Sequence, residues 1–412
     1  MSEWEQKRIH DLLTRHFPGA WGEEPVPGRG SNVSVLRSIN LDNDGHVDIS
    51  TGALRRFSSR ELADRRLQDG DLLLEASGGG PGKPVGRVAL FRQEGDGAYA
   101  SSNFFRTLRV DRRVADPSFL AWRLHWLHGR PEIWRFQQQT TGIINLRYAD
   151  YLNTQIFLPP LTDQRRIAEI LDTLDTQLAI SAQIVDKLWA KQAAITDYQL
   201  DNVAAKEASL GIFLALSPRN GFSPKEVDDW TGLLALGLGC LTSSGFAPRQ
   251  LKNVPSRDSR NSAAFLGDGD LLMSRANTRD LVGLVGRYRD IGTPCIYPDL
   301  MMRLTPTSNC RTEFLEIVLQ SPEVRRQIQA MSQGTSESMV KISGATVKQL
   351  LVRVPEIPEQ DRIVKTRETG HRGIQIEQER GKKLALLKQG LMEDLLTGRV
   401  RVSQAETVLE DL

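Results

Sequence analysis

Two short stretches, one in each half of the chain, carry the side chains best suited to meeting a polyanion or the edge of a heterocyclic base. The first is Ser77-Gly78-Gly79-Gly80-Pro81-Gly82-Lys83. Its glycines let backbone N–H groups approach an anion, with a lysine directly after them. The pattern is not that of a nucleotide-binding phosphate loop: Ser77 stands where glycine is required, and Pro84 where a hydroxyl residue would hold Mg²⁺. Two readings stay open. The stretch is either a mobile small-residue loop pressed against a DNA backbone or groove, with Lys83 and Arg87 in contact, or a solvent-exposed hairpin. The second stretch, Ser274-Arg275-Ala276-Asn277-Thr278-Arg279, combines Arg, Asn and Thr, whose geometry matches guanine and adenine edges in the major groove.

The remaining candidates for chemistry fall away on spacing. Asp42-Asn43-Asp44-Gly45-His46 begins like a calcium loop but lacks the glutamate that would close it, so a plain turn is expected. His125-Trp126-Leu127-His128 has no partner at metal-binding spacing. There is no HExxH, no GxSxG and no GxGxxG after a strand. Leu158-Pro159-Pro160-Leu161 lacks the flanking residues with which an amino-methyltransferase holds its base. No catalytic constellation, cofactor or metal is expected. Cys240, Cys295 and Cys310 show no CxxC spacing and fit reduced core thiols.

These stretches must be positioned by the rest of the 412 residues, of which 40% are hydrophobic and 25% charged. That is the composition of a soluble globular protein long enough for two or three domains. No apolar run is long enough for a membrane span and Met1 opens no charged-then-apolar leader, so a cytoplasmic location is expected. The net charge is only +2, but it is made of 40 Arg and 13 Lys. Arginine suits planar reading of phosphates and guanine, and a GC-rich genome gives the same bias.

The strongest pattern lies at 158–200. After Pro159-Pro160, apolar residues recur at Ile167, Leu171, Leu174, Leu178, Val185, Leu188 and Ile195, interrupted only by Ser181 and Gln192. This four-three spacing is a heptad seam that requires a partner helix. The stretch 354–396 repeats it at an offset of 196 residues: Pro159, Gln164, Arg166 and Ile167 return as Pro355, Gln360, Arg362 and Ile363. Asp69-Gly70-Asp71-Leu72-Leu73-Leu74 likewise returns as Asp268-Gly269-Asp270-Leu271-Leu272-Met273, and Val85-Gly86-Arg87 as Val285-Gly286-Arg287. The chain is thus read as two copies of one unit, each a globular domain followed by a long helix.

The boundaries that follow are 1–158, 159–204, 205–353 and 354–412. Ser2 to Phe17 is expected as a short amphipathic helix. Strands are expected at 33–36, 46–49, 71–75, 86–91, 267–274 and 282–288, and helices at 117–129, 131–139 and 312–332. In the distal helix the seam keeps Ile363, Ile374, Leu384 and Leu391 but is broken by Arg367, Gly370, Glu377, Gly381 and Lys388. Gly370, Gly373 and Gly381 each cost roughly 1 kcal/mol relative to alanine. A bend, fraying or a break near Gly370 is therefore expected.

On these residues the chain resembles the specificity (S) subunits of type I restriction-modification systems. The motifs are Trp21-Gly22-Glu23-Glu24-Pro25, the stretch 70–91, Thr141-Gly142-Ile143-Ile144-Asn145-Leu146, the duplicated PPLxxQRRIAxIL-type signature with its heptad helix, and KQGLMEDLLTGRVRV at 388–402. The resemblance implies an α+β fold: two mainly β or mixed target-recognition domains joined by two long antiparallel coiled-coil helices, with pseudo-twofold symmetry. It implies a non-catalytic subunit that reads a bipartite site on double-stranded DNA and docks two modification (methyltransferase) subunits and, through the complex, restriction subunits. The DNA-binding residues expected are Ser77, Gly78, Gly79, Lys83, Arg87, Thr141, Asn145 and Arg147 in the first domain. In the second they are Ser274, Arg275, Asn277, Arg279, Gln333, Ser336 and Lys341. The alternative is a scaffold or regulatory protein, derived from such subunits, that binds proteins without reading DNA.

Overall fold

A computed structural model describes residues 4–26, 31–80, 82–140, 142–334 and 339–405. The chain divides into two compact units, Met1–Ala182 with Glu379–Leu412, and Gln183–Gln378. Each holds one globular region and half of each long helix.

The globular regions are built alike. The first centres on an antiparallel sheet in the order Leu13–Pro18, Phe105–Val110, Leu72–Glu75, Val88–Leu90, and the second on Leu214–Asn220, Met301–Pro306, Leu271–Ser274, Val285–Arg287. The repeated Asp-Gly-Asp-Leu stretch explains the match. Gly70 and Gly269 turn at φ +88° and +89°, where a side chain is strained. The aspartate after each is then tied to the neighbouring strand, Asp71 bidentate to Arg109 at 2.8 and 2.9 Å and Asp270 to Arg303 at 2.9 Å. The following leucines are fully buried in the core.

A second duplicated device fixes each helix to its domain. Gln164 and Gln360 are both buried, and each amide bridges three backbone groups. Gln164 accepts from Asp116 N and donates to the carbonyls of Pro159 and Val114. Gln360 accepts from Arg311 N and donates to Pro355 and Asn309. The glutamine of the repeated signature is thus a backbone clamp.

The long helices run Leu161–Asp201 and Ile357–Thr397, 41 residues each. The expected break near Gly370 does not occur. In the first unit Gly381 lies opposite Ser181, whose Oγ is 3.3 Å from the glycine's Cβ position; in the second, Gly370 lies so close to Gln192 that a Cβ would fall 1.6 Å from its Oε1. The only two polar interruptions of the proximal seam therefore face glycines of the distal helix, an antiparallel register in each unit. Lys388 answers Asp175 by an ion pair and sits over the Trp122 ring at 4.6 Å.

Four local expectations are corrected. The opening segment is no helix: Glu5–Arg8 and Leu13–Pro18 are strands around a 3-10 turn, because they pair with Gln155–Leu158 and Phe105–Val110. Residues 46–49 form only an isolated bridge, Leu41 to Val47. Of 131–139, Pro131–Phe136 is 3-10 helix and Gln137–Thr140 is a strand. The helix expected at 312–332 is two, Thr312–Gln320 and Pro322–Met331: Pro322 cannot donate to the preceding turn, and Ser321 caps the second helix by accepting from Val324 N. All three cysteines are buried free thiols.

Candidate nucleic-acid interface

The small-residue stretch Ser77–Gly79 is a strand, not a free loop. It lies beside Ile143–Leu146, which in turn pairs with Gln137–Thr140, so a hairpin and a strand distant in sequence meet in one sheet. Gly78 turns at φ +111°, and a Cβ at Gly79 would lie 2.6 Å from the Lys83 carbonyl. The glycines therefore serve close strand approach and the tight Gly80–Lys83 turn, rather than a phosphate cradle. Within the central strand Ile144 and Leu146 are buried while Ile143 and Asn145 face away from the core. Across the sheet the register aligns Gln138, Asn145 and Ser77 in one row. Ser77 Oγ donates to Asn145 Oδ1 at 2.6 Å, and Gln138 and Lys83 are exposed.

The second unit builds the counterpart from equivalent segments. Ala276–Asn277 pairs with Val340–Lys341, and Gln333 exchanges two backbone bonds with Lys341, at 2.9 and 2.8 Å. The corresponding row is Gln333, Lys341 and Ala276, with Gln333 and Lys341 exposed. Arg275 borders it, half-exposed, donating weakly to the Asp299 carbonyl at 3.4 Å. Asn277 Oδ1 accepts from Thr278 N at 2.9 Å, and Arg279 donates to the Gln329 carbonyl at 3.3 Å.

Two residues expected to touch DNA are interior instead. Arg87 is spent inside the first unit, bidentate to buried Glu75 at 2.8 and 2.9 Å and donating to the carbonyls of Leu41 and Ser38. The carboxylate beside it raises its pKa further, burial acting in the opposite sense. Its repeat counterpart Arg287 is likewise held by Glu313 and Glu316. Ser274 is buried at the end of a central strand. Arg147 is exposed at the sheet margin, paired with Asp150 and donating to the Arg135 carbonyl. Thr141 and Ser336 lie outside the described residues.

The helix expected over 131–139 hides Gln138 and Gln139, which the strand Gln137–Thr140 instead exposes beside Asn145. The signal was present in three consecutive glutamines, whose amides match adenine edges and whose run lacks a helical apolar period. Among the described residues no cluster of His, Cys, Asp or Glu is arranged to hold a metal ion, and no helix is long and apolar enough to cross a membrane.

Comparison with known proteins joins these features to a family. The type I restriction modification DNA specificity domain matches residues 60–189, a span that contains Ser77–Gly79, the central strand and most of the proximal helix. The EcoKI specificity subunit of Escherichia coli K12 is 28% identical over 242 residues, 54% of this chain and 52% of that protein. The chain thus matches about half the length of that curated relative. Two solved chains share the fold over nearly the whole length. One, from a study of complex assembly and conformational transition in a type I R-M system, has a TM-score of 0.58 at 16% identity, covering 97% of this chain and 99% of its own. The other is the S subunit of such a system from M. genitalium, with a TM-score of 0.55 at 14% identity and coverage of 95% and 96%. Residues 60–189 thus match the type I specificity domain in sequence, and the fold over nearly the whole length is similar to that of the two solved chains.

Proposed function

We propose that this chain is the non-catalytic DNA-recognition subunit of a type I restriction-modification complex, reading a bipartite site with one three-segment sheet in each unit. The observation that carries the reading is the pair of equivalent rows, Gln138–Asn145–Ser77 and Gln333–Lys341–Ala276. One scaffold presents two different sets of polar side chains, Gln138, Asn145 and Ser77 in the first unit and Gln333 and Lys341 in the second, where Ala276 is buried. Amides match the N6/N7 edge of adenine, and a cationic side chain matches guanine O6/N7 or a phosphate. Two different rows imply two different half-sites. Phosphate contacts that set register fall to Lys83 and Arg147 in the first unit and to Arg275 in the second.

The partners proposed are two modification subunits and, through them, restriction subunits. The methyltransferase and ATP-dependent nuclease activities are assigned to those subunits. A scaffold that binds proteins without reading DNA drew its support from the decayed distal seam. Against it, Gly381 and Gly370 are met by Ser181 and Gln192, and Lys388 by Asp175, so these three interruptions are packed positions.

The test is binding of a duplex recovered from a randomised library, compared with random duplex, with modification subunits present and salt varied. A preference of 10³-fold or more, weakening with salt, is the range for specific recognition. Equal binding to both duplexes contradicts the proposal.

A further inference from the structure

Beside the first reading sheet lies a cavity of about 390 Å³ whose walls include Trp21, Arg37, Ile39, Ser102 and Phe104. It adjoins the sheet directly: Ala76 N and Ser77 N donate to the Phe104 carbonyl, and the Cβ position of Gly78 lies 3.5 Å from the Phe104 ring. Its chemistry is mixed in a particular way. Two aromatic rings, Trp21 and Phe104, stay partly exposed, and Ile39 stands 74% exposed at the rim. Ser102 is only 1% exposed, yet its Oγ has no hydrogen-bond partner among the described residues, and neither has the buried Nε of Arg37.

We infer that this cavity receives a nucleobase turned out of the duplex stack, with Ile39 as the wedge that opens the step. The inference rests on the DNA-recognition reading and deepens it. A flat heterocycle with polar edges uses each feature: aromatic rings offer stacking surfaces, the unpartnered hydroxyl and guanidinium nitrogen meet the base edge, and exposed isoleucines are among the side chains that prise base steps apart. Removal from the stack costs least at a weak step, so the feature adds selectivity without reading a paired base.

The second unit is not built this way. Gly19 N and Ala20 N bond to the Phe105 and Ser101 carbonyls as Gly221 N and Phe222 N bond to Met301 and Tyr297, so Trp21 corresponds to Ser223 and Phe104 to Leu300. There Ser223 closes onto Asp299 by a hydrogen bond. Base capture is therefore a property of the first half-site alone.

The experiment uses the full chain with its modification subunits on the recovered duplex. Thymines are probed by permanganate and adenines by 2-aminopurine placed one position at a time, which separates a captured pyrimidine from a purine. The variant is Trp21→Ser with Phe104→Leu, the residues the second unit folds with, and Ile39→Ser is the milder companion; thermal melting confirms folding. One position in the first half-site is expected to be unstacked by the unaltered protein. The double variant loses that signal at least fivefold, and affinity falls on the order of tenfold, the effect of one lost stacking contact. Ile39→Ser reduces the signal with the fold intact. Retained binding with unchanged reactivity overturns the inference and leaves the DNA-recognition reading standing. Loss of modification subunits with unchanged reactivity makes the cavity a protein-docking site and also overturns it. Failure of the unaltered protein to prefer any sequence overturns both.

Discussion

Lys83 and Arg87 lie four residues apart and have opposite fates, one exposed beside the Ser77–Gly79 strand and the other locked to Glu75 inside the fold. Arg87→Ala leaves a buried carboxylate unpaired and is expected to cost on the order of 3 kcal/mol, read as a lower denaturation midpoint. Lys83→Ala should leave that midpoint unchanged and weaken binding equally on all duplexes, with a shallower salt dependence. His46 supplies a pH signature. It is held between Asp175 and Asp42, and the hydrogen bond to Asp175 above all raises its pKa to about 9 from an ordinary 6.5, against the effect of burial. A raised folded pKa stabilises fully below the unfolded value and is lost as pH rises through the folded one. Stability should therefore decline between about pH 6.5 and 9, and His46→Gln should flatten that slope in melts across the range. Residue types alone mark both candidate stretches, because amides, guanidinium groups and glycines carry their geometry with them. They did not separate Lys83 from Arg87, since the carboxylate that captures Arg87 is placed by strand register: Glu75 N bonds to the Arg87 carbonyl.

Among the elements, the two long helices and the central sheets were legible because heptads and the duplicated Asp-Gly-Asp-Leu stretch are local signals. The opening strands and the Gln137–Thr140 strand were not. The opening strands pair far along the chain and Gln137–Thr140 pairs with the hairpin arm Ile143–Leu146, and this pairing overrides a helical-looking apolar spacing. Gly370 and Gly381 look like defects on one helix alone and are complementary to the facing Gln192 and Ser181. Gly373 and Gly370 separate the two effects. Nothing lies within 4 Å of the Gly373 Cβ position, so Gly373→Ala should stabilise by about 0.5–1 kcal/mol through helix propensity. Gly370→Ala should gain less or destabilise, because the buried Gln192 amide must move. Equal gains in chemical denaturation would show that the Gln192–Gly370 layer does not constrain the pair.

For the whole molecule, each 41-residue helix contributes to both units, and the proximal one is the covalent link between the two globular regions. If helix length sets the gap in the DNA site, deleting the facing heptads 178–184 and 378–384 shortens the link by about 10 Å. The unspecified spacer should then shrink by about one to three base pairs with both half-sites kept. The central claim is that the two rows read two half-sites independently. Selection of duplexes from a randomised library by the unaltered protein and by Gln138→Ala with Asn145→Ala, modification subunits present in both cases, tests it most directly. The unaltered protein should recover two unlike half-sites at fixed spacing. The variant should relax one or two positions in one half-site, at about 1–3 kcal/mol each, and leave the other half-site and the spacer as they were. A single contiguous site, or uniform weakening on every sequence, would contradict the account.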